Sequence, residues 1–213
     1  GQGTNGNIEA LTVFDDGTGA ALFAGGSFTT AASRPANRVA RYGGGTWSAL
    51  TAGTANGVDN TVYSLAGYHD GTGNALYVGG DFVTAGAVPA SRVAKWTGSA
   101  WEAVTDSSEP VMNAAVRAMA VFDSGQGPVL YAAGAFDIQG GASGDRIAKW
   151  DGEVWTTLAG PNTLGLSGDV RALRYVDDPF LGGLYAGGEF DQAGAKVVGN
   201  IARWDGAEWT ALA

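Results

Sequence analysis

The sequence contains no cysteine, so neither disulfide bonds nor thiolate chemistry is open to this chain. It contains one histidine, His69, which excludes zinc sites built from several histidines or cysteines. Basic residues are also few, because 12 Lys and Arg against 21 Asp and Glu give a net charge of −9. Nucleic acids and anionic membrane surfaces attract basic faces, so neither is an expected partner.

Long apolar runs and helical patterns are missing as well. No stretch of about 18 consecutive apolar residues is present, so we expect no membrane insertion. Apolar residues nowhere keep helical spacing over a long window without a glycine to break it. An initiator methionine and a signal peptide are also missing, which is typical of a mature form or of an excised piece. The lack of helical spacing favours an all-β chain.

What the sequence does contain is one unit repeated four times. A phenylalanine and a tryptophan each recur at intervals of 54 residues. These markers are Phe28, Phe82, Phe136 and Phe190, and Trp47, Trp101, Trp155 and Trp209. Fixed periods of this order indicate a repeat architecture. The predicted units cover approximately residues 1–51, 52–105, 106–159 and 160–213.

Each unit predicts four short strands. The second strand carries a Leu-aromatic-x-Gly-Gly-x-Phe run, in which glycine suggests a bulge or a close backbone approach. The third strand covers Arg38–Tyr42 and its equivalents, and the fourth lies at the recurring tryptophan. The first strands are predicted at Ile8–Phe14, Val62–Tyr68, Val116–Phe122 and Val170–Val176, and turns rich in Asp and Gly follow them.

Four strands in a unit of about 50 residues are typical of a β-propeller blade. A single blade cannot bury both of its faces, so blades need neighbours. We therefore predict one all-β domain over residues 1–213, a β-propeller of four four-stranded blades. The ring is closed either by the chain alone or by dimerisation into eight blades.

Residues that recur in every unit are expected to form the core. This applies to the four phenylalanines and the four tryptophans, although exposed tryptophan faces also bind sugars and keep a lectin hypothesis open. Arg38, Arg92 and Arg146 recur as well. Because arginine offers five donors in a fixed fork, we expect these side chains to donate to backbone carbonyls between blades.

The wider motif reads Gly-Gly-x-Phe, followed by Arg-Ile/Val-Ala-Arg/Lys-Trp-x-Gly-x-x-Trp-x-x-Leu. It stands at Gly79–Phe82 and Arg92–Trp101 in the second unit. This pattern resembles the kelch-type propeller and, more closely, repeats of large exported bacterial proteins and of the Rax2-like fungal cell-polarity markers. The resemblance implies an extracellular or surface interaction propeller. Departures from the motif include Ala133 and Asn200.

Candidate chemical groups are better explained as turn residues. His69 stands at the strand-to-turn position of Asp15 and Asp123, and no nucleophile-elbow sequence supports a triad. The adjacent pairs Asp15/Asp16 and Asp177/Asp178 suit turns, with calcium binding as the alternative. Gly17–Gly19 is followed by neither a lysine nor a helix that could hold phosphate. We assign no catalytic, cofactor or metal residue.

Ligand specificity is expected in loops that differ between the units. The loops between second and third strands are Thr29–Asn37, Val83–Ser91, Asp137–Asp145 and Asp191–Gly199, and those between units are Thr51–Thr61, Thr105–Ala115 and Ala159–Asp169. Both sets are expected on the same side, which suits binding loops on a rigid scaffold.

These features predict a non-enzymatic interaction or structural module of an exported or surface protein, located outside the cell or in its envelope. Carbohydrate binding through the loops is the alternative. An enzyme is disfavoured because the chain lacks cysteine and has a single histidine. The expected ligand is a protein or a glycan, and a homodimer that completes an eight-bladed ring is a further expected assembly.

Overall fold

The computed structural model of the protein describes residues 3–104, 112–137, 145–158 and 165–212. Every regular element in these residues is a β-strand. The chain divides into two compact units, Gly1–Thr105 and Asp106–Ala213. The described part of the chain holds no helix able to cross a lipid bilayer.

The first compact unit contains two antiparallel sheets, each with four strands in chain order. The strands of sheet 1 are Ile8–Asp15, Ala20–Gly26, Val39–Gly43 and Thr46–Ala49. Those of sheet 2 are Val62–His69, Asn74–Gly80, Val93–Trp96 and Trp101–Ala103. Short hairpins join Thr30–Ala31 to Arg34–Pro35, Thr51–Ala52 to Ala55–Asn56, and Thr84–Ala85 to Val88–Pro89.

The second compact unit also contains two four-stranded antiparallel sheets. The strands of sheet 3 are Val116–Asp123, Pro128–Gly134, Ile147–Trp150 and Trp155–Thr157. Those of sheet 4 are Val170–Val176, Gly183–Gly188, Ile201–Trp204 and Trp209–Ala211. A hairpin joins Gln192–Ala193 to Lys196–Val197. The predictions of an all-β chain and of four strands per sequence unit are confirmed.

The glycine that ends the second strand, preceded by glycine in three units and by Ala133 in the third, touches a neighbouring backbone. A Cβ atom at Gly134 would overlap the carbonyl oxygen of Ala115, and Gly26, Gly80 and Gly188 meet equivalent carbonyls. The pairing of the first and second strands shifts register at this point in all four sheets. The bulge expected from the glycines is therefore confirmed.

Sheets 1 and 2 pack face to face in the first compact unit. The ring of Phe14 lies against Gly67, and the indole Nε1 of Trp101 donates a hydrogen bond of 3.3 Å to the carbonyl of Leu50. In the second unit, the ring centroids of Phe122 and Tyr175 lie 5.3 Å apart between sheets 3 and 4. Each pair of sheets thus buries an aromatic core.

The recurring aromatic residues are core residues with one exception. The four recurring phenylalanines are buried, as are Trp101, Trp155 and Trp209. Each of the four tryptophans pairs with an aromatic ring of the adjacent third strand, with centroids 5.1–5.3 Å apart. Trp47 was predicted to belong to the core, but it is only half-buried, because sheet 2 packs on the opposite face of sheet 1.

The recurring arginines do not bond from one sheet to another where their contacts are resolved. Nη1 of Arg92 donates to the carbonyl of Asp81 at 2.8 Å, and Nη1 of Arg146 donates to that of Ala135 at 2.7 Å. The acceptors are carbonyls, as predicted, but they belong to the same sequence unit as the donor. The expectation of contacts between blades is therefore wrong for these two residues.

A left-handed backbone explains one departure from the motif. Arg92 and Asn200 occupy the same position of their units, with φ angles of 70° and 65°. Asparagine enters this region more readily than most residues. Asn200 therefore satisfies the backbone requirement of this position without the arginine side chain.

Candidate functional site

At one end of the strands of each sheet, the loop between the second and third strands lies beside the segment that precedes the first strand. We call this end of the sheets the loop face. In sheet 2, Oδ1 of Asp59 accepts hydrogen bonds from the amides of Val83 (2.9 Å) and Thr84 (3.1 Å), which ties the two segments together. Burial opposes ionisation of Asp59, but these amide donors outweigh it and lower the pKa of the carboxyl group.

In sheets 1 and 4, different side chains accept equivalent hydrogen bonds from the loop amides. Oδ1 of Asn5 accepts from the amides of Thr29 (2.8 Å) and Thr30 (2.9 Å) in sheet 1. Oγ of Ser167 accepts from the amide of Gln192 at 3.0 Å in sheet 4. These residues and Asn113 recur at intervals of 54 residues. Our sequence analysis missed them, although their spacing and their shared acceptor chemistry were a usable signal.

The two sets of predicted binding loops lie side by side. The amide of Gly86 donates to the carbonyl of Gly57 at 2.7 Å, and the amide of Ser167 donates to that of Gln192 at 3.1 Å. The prediction that both sets emerge on one side is confirmed for these loops. Residues 105–111, 138–144 and 159–164, which form most of the remaining predicted loops, lie outside the described residues.

Removing the acceptor in sheet 2 is expected to loosen the loop face locally. Asp59→Ala leaves two amides without their partner, so we expect faster hydrogen exchange at Val83 and Thr84 and a loss of about 1–2 kcal/mol of stability. Asp59→Asn keeps an acceptor and should restore most of the protection. Exchange measured by mass spectrometry checks this, with Asn60→Ala as the matched control. Equal protection in all variants would contradict the bracing role of Asp59.

The other end of sheet 2, opposite the loop face, holds a buried ionic cluster at the turn between the first and second strands. Asp70 accepts hydrogen bonds from the Tyr77 hydroxyl (2.7 Å), Lys95 Nζ (2.7 Å) and Thr72 Oγ1 (2.6 Å). Burial disfavours the Asp70 carboxylate, but these donors outweigh burial and lower its pKa. Lys95 Nζ also lies 3.3 Å from Oε2 of Glu102. Despite burial, both carboxylates raise the pKa of Lys95.

Neutralising Asp70 is expected to destabilise sheet 2 in a pH-dependent way. Asp70→Asn should lose about 2 kcal/mol of unfolding free energy at pH 7, because the buried negative charge that accepts from all of these donors is removed. Since the folded pKa of Asp70 is depressed, its contribution is complete above the unfolded pKa, near 4, and is lost as pH falls further. Denaturation from pH 7 to pH 2 should show the difference shrinking in acid.

Glu102→Gln is the matched control for this experiment. The side chain of Glu102 is half exposed, so its removal should change stability by less than about 0.5 kcal/mol. A pH-independent difference between Asp70→Asn and the unmodified chain would show that the carboxylate charge is not what stabilises the turn.

His69 and its equivalents are turn residues, as predicted. Nδ1 of His69 accepts from the amide of Gly71 at 3.1 Å. Oδ1 of Asp15 accepts in the same way from Gly17 (2.9 Å), and Oδ1 of Asp123 from Gly125 (2.7 Å). Within residues 3–104, 112–137, 145–158 and 165–212, no group of three or more His, Asp or Glu side chains is placed to hold a metal ion.

An open pocket of about 660 Å³ lies beside Trp47 on sheet 1. Its wall combines the aromatic rings of Tyr42 and Trp47 with the guanidinium-bearing side chain of Arg34. Ala32, at its rim, has the left-handed φ of 48° that is unusual for a residue with a side chain. We call this the Trp47 pocket.

The corresponding place on sheet 4 holds a smaller cavity. The cavity beside Trp209 has a volume of about 140 Å³. An ion pair of 3.0 Å between Lys196 and Glu208 lies at this cavity. In sheet 1, Arg34 stands at the position of Lys196 and Thr46 at the position of Glu208. Threonine carries no charge, so it cannot form an ion pair with Arg34. The ion pair at the cavity of sheet 4 therefore has no equivalent at the Trp47 pocket.

Comparisons of the chain with protein-family models, with curated proteins and with solved structures found no match.

Proposed function

We propose that this chain is a non-enzymatic interaction or structural module of an exported or surface protein, and that its four sheets are the blades of a β-propeller. The shared strand order of the four sheets supports the propeller, as does the packing of sheet 2 on sheet 1 and of sheet 4 on sheet 3. The low lysine content, the many glycines, threonines and alanines and the acidic balance support a location outside the cell or in its envelope.

The observation that carries the proposal is the contrast between the sheets and the loop face. The recurring phenylalanines and three of the four recurring tryptophans are occupied in packing. The loop tips differ between units, as in Ser33-Arg34, Ala87-Val88 and Ala195-Lys196. Because recurring hydrogen bonds brace these loops, their varied side chains are displayed on a rigid support, an arrangement suited to binding.

Arrays of purified extracellular proteins and of glycans test this proposal. We expect saturable binding of the labelled chain to at least one component. Replacing Ser33, Arg34 and Pro35 by alanine should abolish binding or weaken it by about tenfold or more, as loss of a binding centre does. The control is Gln126→Ala, a change at an exposed turn residue at the end of sheet 3 opposite the loop face. Binding that survives the loop change, or turnover in a hydrolase panel, would contradict the proposal.

A second candidate function is carbohydrate binding at the Trp47 pocket, which is an alternative to the association inferred below because both need the same face of sheet 1. Tyr42 is 40% exposed and Trp47 is half-buried, so part of each ring is available for stacking on a sugar. Arg34 adds hydrogen-bond donors at the same place. Loss of a glycan-array signal in Trp47→Ala would favour this function. Trp101→Ala is not used as a control on the array, because its folding defect would itself remove binding.

A further inference from the structure

Two sheet faces, one in each compact unit, present apolar side chains to solvent. On sheet 1, Leu11 is 59% exposed and Val13 is 71% exposed. On sheet 4, Ile201 and Leu212 are each 43% exposed. Exposed apolar faces of this kind mark interaction surfaces. We call them the bare face of sheet 1 and the bare face of sheet 4.

The bare face of sheet 4 has the residues of a face that is covered elsewhere in the chain. Val39 and Leu50 of sheet 1 stand at the same repeat positions as Ile201 and Leu212. Sheet 2 packs over Val39 and Leu50, which are 0% and 2% exposed. The bare face of sheet 4 is therefore built to receive another sheet.

The bare face of sheet 1 has the residues of the sheet that does the covering. Sheet 2 covers sheet 1 with Leu65, Leu76, Trp96 and Trp101, which belong to or pack against one core cluster. The same repeat positions on the bare face of sheet 1 hold Leu11, Leu22, Tyr42 and Trp47. This face therefore carries the side chains with which sheet 2 docks.

A glycine on the bare face of sheet 4 matches one in the covered contact between sheets 1 and 2. A Cβ atom at Gly25 would collide with Val62 of sheet 2. Gly187, at the same position of sheet 4, has no atom nearer than 4.0 Å to such a Cβ, while Ile8, at the position of Val62, is 41% exposed. Sheet 4 thus keeps room for a side chain such as Ile8.

Side-chain sizes are matched as well. Where sheet 2 meets sheet 1, the large ring of Phe14 lies on Gly67, which has no side chain. The corresponding positions of the two bare faces hold Val176 on sheet 4 and Val13 on sheet 1. Two medium side chains fill a space similar to that filled by one large and one absent, so the faces are compatible in volume.

We infer that the bare face of sheet 4 of one copy of this chain docks on the bare face of sheet 1 of a second copy. This inference rests on the propeller proposed above and assigns the interface of the two-chain ring expected from the sequence. Contact between two different faces is heterologous, and two copies that each use both faces form a closed ring of eight sheets. In that contact, Nε1 of Trp47 donates to the carbonyl of the partner's Leu212, as Trp101 donates to Leu50.

Mass in solution tests the inference. Light scattering over a dilution series should give twice the 21.5 kDa of one chain. Val13→Asp should weaken the association by about tenfold or more, because it places an unpaired carboxylate in an apolar contact. Val83→Asp, at an exposed valine of the loop face, is the matched control and should leave the dimer intact. Adding Val176→Lys to Val13→Asp should restore association through an ion pair across the contact.

Tryptophan fluorescence distinguishes the rival outcomes. Of the seven tryptophans, all within the described residues, Trp47 alone is half-buried, so it should lose access to acrylamide when the dimer forms. A single-chain mass at every concentration would overturn the inference, and so would a dimer unaffected by Val13→Asp. A single chain with shielded Trp47 would indicate closure within one chain instead. A monomer that still binds on the array would leave the proposed function standing.

Discussion

Replacing Trp101 by alanine is expected to reduce the free energy of unfolding by about 3–5 kcal/mol, the range for truncation of a buried tryptophan. The side chain of Trp101 is buried between sheets 1 and 2, and Gly86 lies against its ring. The truncation also removes the donor to the Leu50 carbonyl. Urea denaturation followed by circular dichroism measures the loss.

Trp47→Ala is the matched control, since Trp47 occupies the same repeat position on the face of sheet 1 that sheet 2 does not cover. The comparison belongs in the Val13→Asp background, in which the bare face of sheet 1 stays exposed. Because Trp47 is half-buried there, its truncation should cost about half as much or less, in proportion to the apolar area that it buries. Equal losses for both variants would show that the packing of sheet 2 on sheet 1 is not what stabilises Trp101.

Gly134→Ala is expected to cost about 3 kcal/mol, at the upper end of the range for overpacking. The added methyl group would overlap the carbonyl oxygen of Ala115 and approach the amide nitrogen of Arg117 at 2.9 Å. Both are backbone atoms, so no change of rotamer relieves the clash, and the bulge between the first and second strands of sheet 3 has to move. Denaturant titration and hydrogen exchange at Val116 measure the change.

The neighbouring residue supplies the control. Ala133 is buried at the first position of the pair, so Ala133→Gly should cost only about 1.5 kcal/mol through chain entropy and one lost methyl group. A Gly134→Ala variant as stable as Ala133→Gly would contradict the close backbone approach as the reason for this glycine.

Several features of the fold followed from local chemistry. The period of 54 residues located the units, and alternation with Asp-Gly turns located their strands to within a residue or two. The glycine pairs predicted the bulges because the steric demand of a Cβ atom is local to the chain. The burial of Phe28 and its equivalents also followed, since a large apolar residue in every unit needs a common core.

Residues whose partners lie elsewhere in the chain were harder to predict. The sequence by itself determined the all-β class, the four strands of each unit and the turn roles of Asp15 and His69. Tertiary structure decided that Trp47 is half-buried while Trp101 is not, although both occupy one repeat position. It also decided the intra-unit acceptor of Arg92 and the bracing role of Asp59. Periodicity and turn chemistry act over a few residues, whereas burial and hydrogen-bond partners depend on which sheet lies opposite.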